Sequence, residues 1–422
     1  MRQTSLNLLM NFIFPRGAIA MLGMALAACA ALPEDSARLR VGTSGDYSPF
    51  SVETPDGALE GFDVTAARAF AEDRGMSLQL VRFRWPELAS DLAAGLFDVA
   101  MSGVTVRADR SAAASFTRPV ALSSAVAVVA DRGRFPTLDA LDAKTVTIAV
   151  NAGGHLERVT RVRFPHARVL AVADNEVPEQ LSEGAADALV TDTLEAPSWL
   201  AGRADWVALE PFTTDRKAWW VSPDRPDLLR DLDRFAAERA ADGSLARWRA
   251  GWLGATAAGQ PTAAPLPALL WTLRERLELM PLVAEAKREA GLPVEVPDRE
   301  ERVLEAAWAA TERAAADAGR APPPEAAVRA LFRAQIEAAK AIQRATLARP
   351  PAHSAPASLE HELRPALLRL GERIAGLVVE LEATPAAATD ALAARILDLP
   401  GLGADEVRAL AEAVKALRPE SP

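Results

Sequence analysis

The sequence predicts an α/β domain followed by an all-α helical bundle, and three observations support this division. Between Leu39 and about residue 255, short β-branched runs alternate with helical stretches, which is typical of an α/β domain with a largely parallel sheet. From Pro267 onward every segment has helical periodicity. The segment Gly251–Pro267 between them is rich in small residues, Pro and Gly, and predicts an exposed tether, with the linker at 256–266.

Composition excludes several classes of function. The net charge of -10 argues against a general nucleic-acid surface, because binding to phosphate backbones needs a basic face. The single cysteine excludes an internal disulfide and a thiolate cluster, and the four histidines lack the spacing of metal ligands: His155, His166, His353 and His361. We therefore expect neither a metal site nor a cofactor.

The N-terminal residues 1–31 have the build of a secretory signal peptide. A basic start precedes the apolar run Ala18–Ala31, which is too short to span a bilayer. The sequence Leu26–Cys29 resembles a lipobox, so Cys29 is a candidate lipidation site and a lipid anchor would be the only membrane attachment. Cleavage after Ala30 fits the ordinary signal-peptidase rule nearly as well and would discard that cysteine. Either way we expect a periplasmic or exported protein.

The first domain, residues 32–255, begins with a strand in RVGTSG from Arg40. A Pro55-Asp56-Gly57 turn and a helix from Asp63 to Arg74 follow, and Gly75 ends that helix. Further strands are predicted at 78–83, 98–104, 125–130, 146–151, 168–173 and 187–191. Ligands of such sheets bind beyond the carboxyl ends of the strands. Four polar stretches follow strand ends in this domain: Gly45–Tyr47, Ser102–Arg110, Asn151–His155 and Thr191–Glu195.

These stretches carry strings that resemble the periplasmic solute-binding proteins for amino acids. The matching strings are GDYSPF at 45–50, GFD at 61–63 and GVTVRADR at 103–110. The resemblance implies a two-lobed, type II periplasmic-binding-protein-like fold. A second set resembles the cyclohexadienyl dehydratases, enzymes on that fold that convert prephenate into phenylpyruvate: Trp85-Pro86, AMSG at 100–103, VNAGG at 150–154, DN at 174–175 and TDTLEA at 191–196.

The dehydratase resemblance implies that Glu195 is the general acid, which protonates the leaving ring hydroxyl while the ring carboxylate departs as carbon dioxide. Without the match, Glu195 would be interpreted as a solvated first-turn glutamate. Burial or the nearby Asp192 would raise the pKa of Glu195, whereas a helix N-terminus would lower it, and the sequence leaves this balance open.

The same resemblance assigns the substrate contacts. Arg110 is expected to grip a ligand carboxylate with its two-pronged guanidinium, while Trp85 and Tyr47 would wall the ring. The full set of expected substrate-binding residues is Asp46, Trp85, Ser102, Thr105, Arg110, Asn151, Gly153, Gly154 and Asp192. Two positions depart from the dehydratase pattern: Ala125 stands where a lysine is expected, and His155 where threonine is expected.

The second domain, residues 267–422, predicts an all-α bundle. A first helix is expected over Pro267–Gly291, and Asp298 with Glu301 forms a capping box for a second helix that ends near Ala318. Two more helices are expected at 324–348 and 359–383, with one or two short helices after Thr384. Arg276 and Lys287 should project from one side of the first helix, and the third should present Gln335, Ala339 and Gln343 on one face.

This spacing resembles the all-helical chorismate mutases, and five strings within residues 265–385 match their secreted branch: RERL, AEAKREAGLPVE, DREERVL, QIEAAKAIQ and LRPAL. The resemblance implies that Arg276 and Arg364 hold the two carboxylates of chorismate, with Arg299 in support. Lys287 and Gln343 would hydrogen-bond the ether oxygen, and Glu300 would orient the hydroxyl. Val296 and Ala339 replace an acidic residue and a small hydroxyl found in some relatives, so we expect a weaker grip on the substrate. Because Gln343 is neutral at every relevant pH, we do not expect the loss of activity with rising pH that a site using a protonated glutamate would show.

Together the resemblances imply an exported bifunctional enzyme, because prephenate is the product of the mutase and the substrate of the dehydratase. The amino counterpart of prephenate, arogenate, can also be accepted and would give phenylalanine. The alternative is a sensor or transport module for an amino acid or cyclic acid, fused to an active mutase, and Ala125 favours that alternative. Oligomeric state has no signature in this sequence.

Overall fold

The computed structural model describes residues 38–173, 176–351, 357–382 and 385–417. The predicted signal segment 1–31, with its candidate lipidation site Cys29, lies outside the described residues. So do the dehydratase-like dipeptide at 174–175 and His353.

The first domain contains fifteen strands among the described residues. In chain order they are β1 (Arg38–Thr43), β2 (Asp46–Tyr47), β3 (Ser51–Glu53), β4 (Leu59–Glu60), β5 (Ser77–Arg82), β6 (Val99–Ala100), β7 (Ser115–Phe116), β8 (Ala121–Ser123), β9 (Ala125–Val129), β10 (Thr147–Asn151), β11 (Arg168–Val172), β12 (Ala188–Asp192), β13 (Val207–Ala208), β14 (Asp215–Lys217) and β15 (Trp220–Val221). Its helices are α1 (Phe62–Asp73), α2 (Leu88–Ala93), α3 (Ala108–Ala113), α4 (His155–Arg163), α5 (Val177–Ser182), α6 (Ala196–Leu200), α7 (Pro226–Ala241), α8 (Ser244–Trp252) and α9 (Ala255–Ala258).

Two five-stranded sheets form two lobes, which confirms the predicted two-lobed α/β architecture. The first sheet has the order β5-β1-β6-β15-β7 and the second β11-β10-β12-β9-β13. In the first sheet β1 pairs in parallel with β5 and β6, and in the second β10 pairs in parallel with β11 and β12. Strands β9, β13 and β15 pair antiparallel with their neighbours. The chain passes between the lobes through β8 and β14, which pair antiparallel with each other.

The predicted strands of this domain are present, with one shorter than expected. The run at 98–104 forms a strand only over Val99–Ala100. The chain turns away at Gly103, whose φ is 63° and whose backbone passes so close to Tyr47 and Phe50 that a Cβ would lie 2.6 Å from the Tyr47 ring. Glycine is therefore required there. Thr105 and Arg110, which follow this turn, line the cavity between the lobes.

The second domain is a helical bundle, as predicted. Its helices are α10 (Pro265–Glu278), α11 (Met280–Glu289), α12 (Pro297–Asp317), α13 (Glu325–Leu347), α14 (Arg364–Glu380), α15 (Ala386–Ile396) and α16 (Ala404–Leu417), and a π-helical turn at Leu359–Leu363 leads into α14. Apolar stripes of these helices share one core that includes the fully buried Leu269, Leu273, Leu277, Val328, Leu331, Ile374 and Leu410. Within the described ranges, no helix combines the length and apolar character that a membrane crossing needs.

Two helix predictions in this domain were wrong. The expected helix Pro267–Gly291 is two helices that meet at Leu279, because Pro281 near the start of α11 has no N–H to continue the hydrogen-bond ladder. Arg276 and Lys287 therefore stand on different helices. The capping box at Asp298 is also absent: α12 begins at Pro297, and its N-cap Val296 makes no side-chain cap. Proline is well suited to that first position because its φ is already helical.

The segment between the domains is packed rather than an exposed tether, which corrects the prediction for 256–266. Ala257, Thr262 and Ala263 are at most 1% exposed. The Gln260 amide donates to the Leu122 carbonyl (3.1 Å) and its oxygen accepts from the Leu122 N–H (2.7 Å). Small residues permit this close packing, so the composition that predicts a tether equally suits a tight joint.

Buried polar contacts join the second domain to the first. The fully buried Arg118 binds Asp233 of α7 (2.7 Å) and Glu380 of α14 (3.0 Å). On the strand that links the lobes, Arg216 pairs with Glu278 of α10 (3.0 Å). Ser111 of α3 donates to Glu275, also of α10, at 2.7 Å. The two domains thus share an interface held by buried, hydrogen-bonded ion pairs.

Replacing Arg118 with methionine should lower the free energy of unfolding by about 3–5 kcal/mol, because it leaves the buried Asp233 carboxylate without its main cation. Chemical denaturation of both proteins measures the difference. Arg230→Met is the control, because Arg230 pairs with Asp227 on the same helix at an exposed position and should cost about 1 kcal/mol or less. Equal losses in the two variants would contradict the importance of the buried pair.

Candidate active sites

A cavity between the two lobes brings together most of the residues predicted for the first domain. The first lobe contributes Tyr47, Trp85, Gly103, Thr105 and Arg110, and the second contributes Asn151, Gly154, His155, Leu156 and Glu195. Lys217 enters from the strand that links the lobes. Polar residues converge here because the turns after β6, β10 and β12 all face this cleft, as expected for the carboxyl ends of parallel strands.

Glu195 is a buried carboxyl at the wall of this cavity. It lies directly before α6 and is 6% exposed, with Oε2 accepting a hydrogen bond from Thr191 Oγ1 at 2.6 Å. Burial, with the neighbouring Asp192 charge, raises the pKa of Glu195 well above its usual value, although Thr191 and Lys217 act in the opposite direction. Burial is the largest cause of this raised pKa, and the helix that follows Glu195 has only five residues.

Asp192 is the second carboxylate of the pair, and it is surrounded by donors. Lys217 Nζ lies 3.0 Å from its Oδ2, which also accepts a hydrogen bond from the Tyr47 hydroxyl. Its Oδ1 accepts the backbone N–H groups of Leu194 (2.9 Å) and Glu195 (3.1 Å). The negative charge of Asp192 is thus compensated by several donors, whereas Glu195 is the carboxyl of the two whose pKa is raised.

Lys217 is the functional residue that the sequence analysis missed. Besides Asp192, its ammonium contacts Tyr47 Oη (2.8 Å) and Thr105 Oγ1 (3.0 Å). Alternation along β14 directs Asp215 and Lys217 to the cleft and Arg216 to the second domain. The sequence Asp215-Arg216-Lys217 shows this alternation, but none of the strings that resemble known families includes these residues. Lys217 also restores a cation to the cleft, although the expected lysine at position 125 is a buried alanine opposite Asp192.

The position of Arg110 is consistent with the predicted role of binding a ligand carboxylate. It is 6% exposed, and its Nη1 donates to the Thr105 carbonyl at 3.1 Å. Burial and the nearby Arg107 lower the pKa of Arg110, while Asp109 acts against them. A buried guanidinium is stabilised by an anion, so this end of the cavity favours a ligand carboxylate.

Four predicted substrate contacts do not line the cavity: Asp46, Ser102, Gly153 and Asp192. Ser102 Oγ is bonded to the backbone N–H (3.1 Å) and hydroxyl (2.9 Å) of Ser44, so it holds a loop instead of donating to a ligand. The Gly153 N–H donates to Glu157 (2.7 Å), and a Cβ at Gly153 would lie 2.7 Å from Pro86. Asp192 acts through Glu195, and Asp46 contributes negative charge that also raises the pKa of Glu195.

The second domain has a group of its predicted cations around Lys287, while Arg276 is buried on α10. Arg276 on α10 is 8% exposed, and burial lowers its pKa to about 10. Lys287 on α11 donates to the Val294 carbonyl (3.0 Å), and burial together with Arg299 and Arg364 lowers its pKa. The cluster of Lys287, Arg299 and Arg364, drawn from α11, α12 and α14, favours an anionic ligand.

Gln343 and Glu300 complete this site. Gln343 on α13 is 5% exposed, and its amide donates to the Ala339 carbonyl at 3.2 Å. Its Oε1, like Nε of Arg276 and of Arg364, is buried without a hydrogen-bond partner within the described part of the chain. Glu300 accepts from Lys340 (3.3 Å), and Arg364 pairs with Glu360. Within those same ranges, no three His, Cys, Asp or Glu side chains form a metal-binding group.

Comparisons with known proteins match each domain separately. The model of the bacterial extracellular solute-binding proteins, family 3, matches residues 39–255, and that of chorismate mutase type II matches residues 268–344. The cyclohexadienyl dehydratase of Pseudomonas aeruginosa is 34% identical over 225 residues, covering 52% of this chain and 84% of that protein. The L-cystine-binding protein TcyJ of Escherichia coli (strain K12) is 29% identical over 222 residues, covering 51% of this chain and 83% of that protein.

Among solved structures, the ancestral amino acid-binding protein AncCDT-1, described as a precursor of cyclohexadienyl dehydratase, is 27% identical with a TM-score of 0.49 and covers 51% of this chain and 95% of its own. The two-lobed cleft, the family match and the 34% identical relative agree with one another. This chain belongs to the bacterial extracellular solute-binding proteins, family 3, and carries a chorismate mutase type II domain after that module.

Proposed function

We propose that this protein is an exported bifunctional enzyme that converts chorismate into prephenate in its helical domain and prephenate into phenylpyruvate in its two-lobed domain. The observation that supports the second activity is the buried Glu195, whose pKa is raised by burial and by Asp192, in a cleft with a buried arginine. The similarity to the Pseudomonas aeruginosa cyclohexadienyl dehydratase supports the same reaction.

In the dehydratase step, Arg110 holds the side-chain carboxylate of prephenate, and Trp85 and Tyr47 flank the ring. Glu195 donates its proton to the ring hydroxyl, the carbon–oxygen bond breaks and water leaves. The bond between the ring and its carboxylate breaks, carbon dioxide departs, and the released electron pair completes the aromatic ring. Lys217 lies 3.0 Å from Asp192 and compensates its charge, while burial and the Asp192 charge raise the pKa of Glu195, the proposed proton donor.

The mutase step is a pericyclic rearrangement, which needs no acid, base or nucleophile. The protein must hold chorismate folded and stabilise the charge that develops on the ether oxygen. Arg276 and Arg364 bind the two carboxylates, with Arg299 in support. Lys287 and Gln343 donate to the ether oxygen, and Glu300 orients the hydroxyl.

The rival function is a binding module for an amino acid or cyclic acid fused to a working mutase. The resemblance to TcyJ and the buried Arg110 fit such a module, but a receptor has no need of a proton-bearing Glu195. The decisive experiment incubates the purified protein with prephenate and follows phenylpyruvate by its absorbance in alkali. Tight binding without phenylpyruvate would replace the proposal by this rival.

The two activities should separate in single variants. Glu195→Gln keeps the size of the side chain but removes its acidic proton, so phenylpyruvate formation should fall by about 10²–10⁴-fold while the mutase rate is unchanged. Lys287→Ala should do the opposite by removing the charge at the ether oxygen, with a loss of about 10²–10³-fold. Assays of each purified variant on chorismate and on prephenate measure both rates. A variant that loses both activities would contradict separate sites.

The two activities should also differ in pH dependence. The dehydratase rate should fall as pH rises through the raised pKa of Glu195, because only the protonated form donates. Gln343 does not titrate, so the mutase rate should fall only when Lys287 loses its proton, at a pKa lowered from 10.5 by burial and two arginines. Profiles of kcat/KM against pH on each substrate test whether the dehydratase rate falls at a lower pH than the mutase rate. A mutase profile that falls first would contradict these assignments.

A further inference from the structure

His155 and Asp215 form a hydrogen-bonded pair across the cleft, and the proposed mechanism gives them no role. His155 lines the same cavity as Arg110 and Glu195, at the first position of α4. Its Nε2 lies 2.9 Å from Asp215 Oδ1, on the strand that links the lobes. Asp215 Oδ2 in turn accepts a hydrogen bond from Thr213 Oγ1 at 2.7 Å, which fixes the carboxylate plane.

The partners of Asp215 determine which ring nitrogen carries the proton. The pKa of Asp215 is lowered by His155 and Lys217 in spite of burial, so the carboxylate is ionised and can only accept. Nε2 of His155 therefore donates. Burial, with Lys217 and Arg107 nearby, lowers the pKa of His155 despite the opposing charge of Asp215, so the ring is neutral near pH 7.

The remaining ring nitrogen is consequently a hydrogen-bond acceptor. Nδ1 of His155 is buried and has no hydrogen-bond partner among the residues that the structure describes. A neutral imidazole with its proton on Nε2 has a lone pair on Nδ1. The expected threonine at this position would instead offer a hydroxyl, which can donate as well as accept.

An acceptor at this place distinguishes between the two substrates of the proposed reaction. Prephenate and arogenate differ at the carbon next to the side-chain carboxylate, where one has a keto oxygen and the other an ammonium group. Arg110 and His155 line one cavity, so a carboxylate bound by Arg110 would leave its neighbouring group inside the space that His155 also lines. The keto oxygen can only accept a hydrogen bond, whereas the ammonium donates.

We propose that His155, oriented by Asp215, is a specificity-determining residue that makes this site prefer the 2-amino substrate, arogenate, over the 2-keto substrate, prephenate. The proposal rests on the dehydratase function proposed above. It concerns recognition alone, because His155 neither gives nor takes a proton in the reaction.

The primary test is the ratio of kcat/KM for arogenate to that for prephenate. The wild-type protein should favour arogenate, and His155→Thr should lower the ratio about tenfold or more, because the hydroxyl can also donate to the keto oxygen whereas Nδ1 can only accept. His166→Thr is a matched control, since His166 also pairs with an aspartate, Asp142 at 2.8 Å, but on the exposed surface. That variant should leave the ratio unchanged.

Asp215→Asn is a second variant, which keeps His155 but should change Nδ1 from an acceptor into a donor. In this variant the amide oxygen would accept the hydrogen bond from the Thr213 hydroxyl. The amide N–H group would then donate to Nε2 of His155, so the ring proton would move to Nδ1. Nδ1 would then donate, and the ratio should shift towards prephenate by at least as much as in His155→Thr. A merely structural role would lower both rates together without changing the ratio.

Calorimetric binding of L-phenylalanine and phenylpyruvate separates failure of this proposal from failure of the proposed function, because these ligands differ in the same amino and keto groups. Tighter binding of phenylalanine, with a preference that His155→Thr reduces about tenfold, supports the proposal even if neither substrate is turned over. A wild-type preference for the keto ligands, or ratios within twofold between wild type and His155→Thr, would overturn it while leaving the dehydratase function intact.

Discussion

The two-lobed site depends on an unequal sharing of charge between two neighbouring carboxyl groups. Asp192 has the Lys217 ammonium, the Tyr47 hydroxyl and two backbone N–H groups, whereas the buried Glu195 carboxyl accepts from the Thr191 hydroxyl. Burial and the Asp192 charge raise the pKa of Glu195. The proposed proton donation depends on this asymmetry.

The scaffold that holds this arrangement extends into the second domain. On β14, Asp215 and Lys217 face the cleft while Arg216 binds Glu278 of α10. The same helix provides Glu275, which binds Ser111 next to the proposed carboxylate-binding Arg110, and Arg276, a proposed ligand of chorismate. One helix therefore supports elements of both sites, and the joint at 256–266 is packed accordingly.

Much of this organisation was predictable from the sequence, and the exceptions have physical reasons. Strand and helix periodicity located the two domains, and the polar residues after β6, β10 and β12 located the cleft. The role of Lys217 was not predicted, because its partner Tyr47 lies 170 positions away in the sequence. No local sequence pattern encodes such a contact. The break at Leu279 was missed because apolar periodicity continues through it, although Pro281 signals it. The pKa of Glu195 could not be decided, because burial is a property of the folded chain.

The most direct test of the central claim is the protonation state of Glu195 itself. An infrared difference spectrum between the wild-type protein and Glu195→Gln, recorded at neutral pH, reports whether this side chain is a carboxylic acid or a carboxylate. The account predicts a protonated-carboxyl stretching band that the variant lacks, since burial and Asp192 raise the pKa of Glu195. A difference spectrum that contains only carboxylate bands would contradict it.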